Sequence, residues 1–115
     1  MSWKLFLDDN REPPDGFNFV VARSYDEAIK FVQTLGCPNF ISFDHDLDNS
    51  VYAGDPKEKT GYDFAKWLVN KDLDGSFSFP DNFTYAIHSS NPVGIDNIHG
   101  LLKGYLRFKK ENSDD

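Results

Sequence analysis

Three short apolar runs in this chain each stop abruptly at ionisable residues, and that recurrence limits the fold more than any other feature. Lys4-Leu5-Phe6-Leu7 stops at Asp8-Asp9, Phe40-Ile41-Ser42-Phe43 at Asp44-His45-Asp46, and Thr84-Tyr85-Ala86-Ile87 at His88-Ser89-Ser90-Asn91. Short apolar runs bounded by polar residues read as buried strands. Phe19-Val20-Val21-Ala22 reads as another strand, second in chain order. Helical patterns lie between the strands. Ser24 with Glu27 makes a capping box, followed by Ala28, Ile29, Val32 and Leu35 at helical spacing, with Gly36 and Pro38 as stops. Thr60 with Asp63 repeats the cap before Phe64, Ala65, Trp67 and Leu68. Pro92 suits the first turn of a last helix capped by Ser90 or Asn91, with Ile95, Ile98, Leu102, Tyr105 and Leu106 as its apolar face.

Strands alternating with helices predict an α/β domain: an open, mainly parallel sheet of about four strands with flanking helices. The stretch from Asp9 to Gly16 is too short to hold a crossover helix, so the first such helix is missing. Either an extended loop makes that crossover or the second strand runs antiparallel at an edge. Residues 47–59 are polar, carry Gly54 and Pro56, and read as a loop or lid. A length of 115 residues fits one domain, expected over 1–108, with 109–115 as a flexible tail. The 11 Phe residues exclude a disordered chain and are expected, with Trp67, to form the core.

Composition removes several classes of function. No apolar stretch approaches the ~18 residues of a spanning helix, and the first residues lack the apolar stretch of a signal peptide. A single cysteine, Cys37, excludes an internal disulfide and a cysteine-based zinc site. It also has no nearby base that would make it a nucleophile. A cytoplasmic monomer is the simplest expectation. The net charge of −7 argues against general binding of a nucleic-acid backbone. It is compatible with a small nucleotide held through a metal.

Ligands of open α/β sheets bind outside the carboxyl ends of the strands. If the three acid- or histidine-terminated strands are parallel neighbours, Asp8, Asp9, Asp44, His45, Asp46 and His88 converge on one rim. Taken singly, each acid also fits a turn or a cap. Together, packed carboxylates repel one another, and a hard divalent cation such as Mg²⁺ or Mn²⁺ resolves the conflict. A helix beginning at Pro92 would aim backbone N–H groups at the same rim, where phosphate is favoured. The unperturbed pKa of a histidine lies near neutrality, so His88 or His45 could serve as general acid or base. His99 reads as a surface or packing residue, and Thr60 as a cap.

The layout resembles the receiver (flavodoxin-like) domain of response regulators: an acidic pair after the first strand, an Asp after the third, and a small hydroxyl residue after the fourth. Asp8-Asp9, Asp44 and His88-Ser89 occupy those places. No fifth strand with a terminal Lys follows. The chain is more similar to the cyclic-phosphate processing receiver domain family. That similarity is carried by Leu5-Phe6-Leu7-Asp8-Asp9 with Arg11 and Pro13-Pro14, by Phe43-Asp44-His45-Asp46-Leu47, by Thr60-Gly61-Tyr62-Asp63, and by His88-Ser89-Ser90-Asn91-Pro92-Val93-Gly94. It implies a metal-dependent domain of bacterial and phage settings that acts on cyclic phosphates of nucleotide or ADP-ribose type.

The expected activity is therefore ring-opening hydrolysis by a cyclic phosphodiesterase. Asp8, Asp9, Asp44 and Asp46 are the candidate metal ligands. His88, His45 and Asp44 are the candidate catalytic residues, and Arg11, Ser89, Ser90 and Asn91 the candidate phosphate or substrate contacts. Asp44-x-Asp46 after an apolar strand also resembles the first motif of haloacid-dehalogenase-like phosphatases, whose later motifs are not evident here. Two readings without turnover use the same rim: a nucleotide- or metal-binding module, and a stand-alone receiver working through protein contacts.

Overall fold

The apolar runs pair side by side in a parallel sheet. In the computed structural model, which describes residues 2–44, 47 and 60–112, the elements run β1 (Lys4–Leu7), β2 (Val20–Ala22), α1 (Tyr25–Leu35), β3 (Phe40–Phe43), α2 (Gly61–Leu73), β4 (Thr84–Ile87) and α3 (Pro92–Asn112). The strand order is β2-β1-β3-β4, and all three pairings are parallel. The open question of β2 is thereby answered: it runs parallel, and residues 8–19 form the extended crossover.

Topology explains where that loop lies. Parallel crossovers are right-handed. The links β2–α1–β3 and β3–α2–β4 step in one direction along the sheet, which puts α1 and α2 on one face. The β1–β2 link steps the other way and runs over the opposite face. Packing agrees. Leu5, Leu7, Ile41 and Phe43 point to the helical face and form one core with Ala28 and Val32 of α1, Phe64 and Leu68 of α2, and Ile98 and Leu102 of α3. Parallel sheets are ordinarily covered on both faces. Among the described residues the three helices share one face, and the other carries the 8–19 loop. The side chains that alternate onto that face are Lys4, Phe6, Val21, Phe40, Ser42, Thr84 and Ala86.

The helix ends follow the sequence signals with two differences. Thr60 and Asp63 make the full capping box of α2. At α1, Ser24 accepts from the Glu27 amide, but the Glu27 carboxylate takes the Arg23 N–H (2.6 Å) one residue before the cap. The second difference corrects the expected tail. α3 continues through Lys109 and Lys110 to Asn112, because Lys109 is anchored to Asp72 of α2 (2.9 Å). Asp72 is nearly inaccessible and also accepts from the Tyr105 hydroxyl and the Phe79 amide. Those contacts give the last turns of α3 a tertiary partner that solvated residues would lack.

Candidate functional site

The sheet ladder continues one residue beyond each strand. The Asp8 amide donates to Ala22 O (3.1 Å), the Asp44 amide to Leu7 O (2.9 Å) and the His88 amide to Phe43 O (2.8 Å). Leu7 pairs with Ala22 and with Phe43, which pairs with Ile87. The next row across the sheet is therefore Arg23, Asp8, Asp44, His88. Of the three strand ends singled out in the sequence, the register brings Asp8, Asp44 and His88 into line, beside the switch point between β1 and β3 where such sheets bind ligands.

Asp8 is the centre of the row and only 1% exposed. Its Oδ1 accepts from the Asn10 amide (2.8 Å) and the Arg11 amide (2.7 Å), and its Oδ2 is bonded to His88 Nε2 (2.8 Å). Burial pushes its carboxyl pKa up, but those two amides and the His88 ring outweigh burial and hold it below the usual carboxylate range. Carboxylate oxygens of Asp8, Asp9 and Asp44 lie within 4.8 Å of one another. All-oxygen carboxylate donors at that spacing fit a hard divalent cation completed by water.

His88 is held on both nitrogens and on its face. Nε2 meets Asp8, Nδ1 meets Ser42 Oγ (2.7 Å), and the ring lies parallel to Phe6 with centroids 4.7 Å apart. With Asp8 ionised, Nε2 carries a proton, and in the neutral ring Nδ1 accepts from the Ser42 hydroxyl. Ser42 went unremarked in the sequence. The signal was a lone hydroxyl inside Phe40-Ile41-Ser42-Phe43, at the alternation position that shares a face with Phe6.

Arg23 was also missed. Its guanidinium donates to Asp8 O (3.1 Å), Arg11 O (2.5 Å) and Glu12 Oε1 (2.8 Å), tying the loop after β1 to the end of β2. It stands directly after a strand, in the place that also marks Asp8, Asp44 and His88.

The remaining expected residues divide. Arg11 donates from Nη1 to the His88 carbonyl (2.9 Å), which ties the loop to the end of β4. Asn91 caps α3, its Oδ1 accepting from the Gly94 amide (3.0 Å), and Ser89 Oγ accepts from the Asn91 amide (3.1 Å). Ser90 is exposed. His45, Asp46 and most of the 47–59 loop lie outside the described residues. His99 bonds Tyr85 (2.9 Å) on the helical side, the packing role expected of it. Burial pushes the Cys37 thiol up to about 12, which removes it as a nucleophile at neutral pH.

Next to His88, on the helix-free face, lies a cavity of about 630 Å³ lined by Phe6, Phe17, Phe19, Phe40, Ser42 and His88 among others. The Phe residues were expected in the core. Phe43, Phe64, Phe79 and Phe83 are there, whereas Phe6, Phe17, Phe19 and Phe40 lie outside that cluster, Phe6 being buried on the cavity face of the sheet. No helix of the described residues is long and apolar enough to cross a membrane. In comparison with known proteins, a family model described as the cyclic-phosphate processing receiver domain matches residues 3–104. No curated protein and no solved structure matches the chain.

Proposed function

The chain belongs to the cyclic-phosphate processing receiver domain family, and we propose that it hydrolyses a cyclic phosphate on a nucleotide- or ADP-ribose-type small molecule, opening the ring. The observation that carries this reading is the convergence of the Asp8, Asp9 and Asp44 carboxylates on one rim with a histidine held beside them. Asp8, Asp9 and Asp44 would hold Mg²⁺ or Mn²⁺, with Asp46 as a further candidate. Such an ion, when bound, supplies Lewis-acid stabilisation of charge on a phosphoryl oxygen.

The chain's own residues account for the proton. Ring opening adds water across one P–O bond, and the departing ribose oxygen must gain a proton. Asp8 fixes His88 through Nε2, the role of an orienting carboxylate in a triad. That leaves Nδ1, on the side of the cavity, as the proton-transfer atom, with the Ser42 hydroxyl as its hydrogen-bonded neighbour. His88 serves as general acid in its imidazolium form, giving the Nδ1 proton to the leaving oxygen while the attacking water releases one proton in exchange, and Ser42 positions the ring in the absence of ligand. Arg11 and Arg23 keep the carbonyls and loop around Asp8 in place.

The test is incubation with Mg²⁺ or Mn²⁺ and a panel of 2′,3′-cyclic nucleotides, cyclic dinucleotides and ADP-ribose cyclic phosphate. Asp44→Asn and His88→Ala serve as controls. Turnover that both substitutions abolish supports the reading. Turnover no higher than these controls on every substrate would sink it, and retained ligand affinity in that case would favour a binding module.

A further inference from the structure

We infer that the cavity on the helix-free face is a nucleobase subsite, so that the ligand of the rim is a nucleotide held by its base and not a base-free cyclic phosphate. The inference rests on the hydrolytic site proposed above for the position of the phosphate, and it adds what the rest of the ligand is.

Four observations carry it. The first is size: about 630 Å³ lies within the range of small-molecule pockets and accommodates a nucleoside. The second is the wall. Phe19 stands between Phe17, Phe6 and Phe40, with ring centroids 6.2, 5.5 and 5.9 Å away. A connected group of rings offers π-faces to a planar base without demanding one particular base. Phe17 is 52% exposed, so part of its ring is presented to solvent at the cavity wall.

The third is continuity. His88 and Arg11 line the cavity, and Phe6 stacks directly on His88, which is bonded to Asp8. A ligand spanning cavity and rim would put its base on the rings and its phosphate at the carboxylate row. The fourth is polarity. Lys4 lies over Phe17 (5.6 Å) at the cavity wall and supplies positive charge for an anionic ligand. The carboxylate of Glu12 is already paired with Arg23 (2.8 Å). Asn39, also on the wall, holds a buried side-chain oxygen without a hydrogen-bond partner among the described residues.

The backbone of the loop accounts for the aromatic wall. Gly16 (φ 86°) and Asn18 (φ 54°) both take the left-handed conformation, flanking Phe17. Glycine and asparagine are the residues that adopt it most readily. These turns set Phe17 and Phe19 beside Phe6 and Phe40 of the sheet.

The experiment compares AMP with ribose 5-phosphate, which carries the same phosphate and sugar without the base. Binding to the intact protein is measured by calorimetry with Mg²⁺ present, and needs no turnover. AMP is expected to bind at least about tenfold more tightly. Phe17→Ala and Phe19→Ala are each expected to weaken AMP about tenfold while leaving ribose 5-phosphate unchanged. Phe17→Ala removes an exposed side chain, so folding is preserved, and Phe19→Tyr restores the ring. Equal affinity for the two ligands, or AMP affinity indifferent to both alanine substitutions, overturns the inference. So does a dimer that Phe17→Ala dissociates in a protein that does not prefer AMP, since a second copy would then be the occupant. AMP preference without cyclic phosphate turnover would overturn the hydrolytic reading and leave this one standing. Turnover with no AMP preference would do the reverse.

Discussion

Among the described residues two carboxylates are almost inaccessible, and their company differs. Asp72, at the junction of α2 and α3, is surrounded by the Tyr105 hydroxyl, the Lys109 ammonium and the Phe79 amide. Asp8, at the end of β1, has the amides of Asn10 and Arg11 and the His88 ring, and its further neighbours are two more carboxylates, Asp9 and Asp44. Both acids are held below the usual carboxylate range: in each, burial pushes the value up and hydrogen bonds overrule it. One buried acid is matched by a permanent cation and closes a structural tie. The other has two further carboxylates beside it, an arrangement that a bound cation would relieve. Burial and a perturbed pKa alone would not separate a tie from a site; the sign of the next charge does.

The largest expected effect is on turnover. His88→Ala should lower the rate of ring opening by roughly 10² to 10⁴-fold, the usual worth of a general acid, measured at saturating substrate. Asp72→Asn should leave the rate per folded molecule unchanged. Next comes the response to metal. Mn²⁺ at about 100 times its Kd should stabilise the protein by about 2.7 kcal/mol in chemical denaturation. Asp44→Asn should erase that gain and Asp72→Asn should keep it. A gain that survives Asp44→Asn would show that the carboxylate row does not bind the ion.

Stability in the absence of metal should reverse the ranking. Asp72→Ala leaves Lys109 and Tyr105 without their partner and should cost about 2 kcal/mol. The denaturation midpoint would then fall while the Mn²⁺ response persists. The smallest effect is in the acid limb. Since the Asp72 carboxyl is lowered from 3.8 in the fold, its ionisation stabilises the protein fully above that value. The contribution fades as pH falls through the folded pKa. Thermal melts below about pH 4 should therefore decline more steeply for the wild type than for Asp72→Asn. Equal slopes would mean that Asp72 contributes nothing in this range.

Much of this contrast was legible in the sequence, and the reason is register. A parallel sheet places the residues after its strands in one row, so runs ending at Asp8, Asp44 and His88 were enough to forecast a rim. The partners of that rim were harder to see. Ser42 lies inside a strand, and its value depends on which side of the sheet His88 turns to. Arg23 follows a strand whose direction the sequence left open. The face occupied by α1 and α2 follows from strand order and crossover hand, neither of which is a property of any one segment. That is why Phe17, Phe19 and Phe40 read as core until the topology placed α1, α2 and α3, the helices of the described residues, on the other face. The end of α3 was misjudged for a similar reason, since Lys109 looks solvated until α2 brings Asp72 beside it.

The row itself has a consequence for motion. The amides of Asp8, Asp44 and His88 are each donors in the sheet ladder, so the site is continuous with the most cooperative part of the structure. Its backbone cannot open by fraying a loop; it opens when strands separate. Amide hydrogens at these three positions should exchange with solvent as slowly as those of central β1, near the limit set by global unfolding, while those of the 10–19 crossover exchange much sooner. The reacting groups would then stay fixed at times when the aromatic wall beside them is in motion.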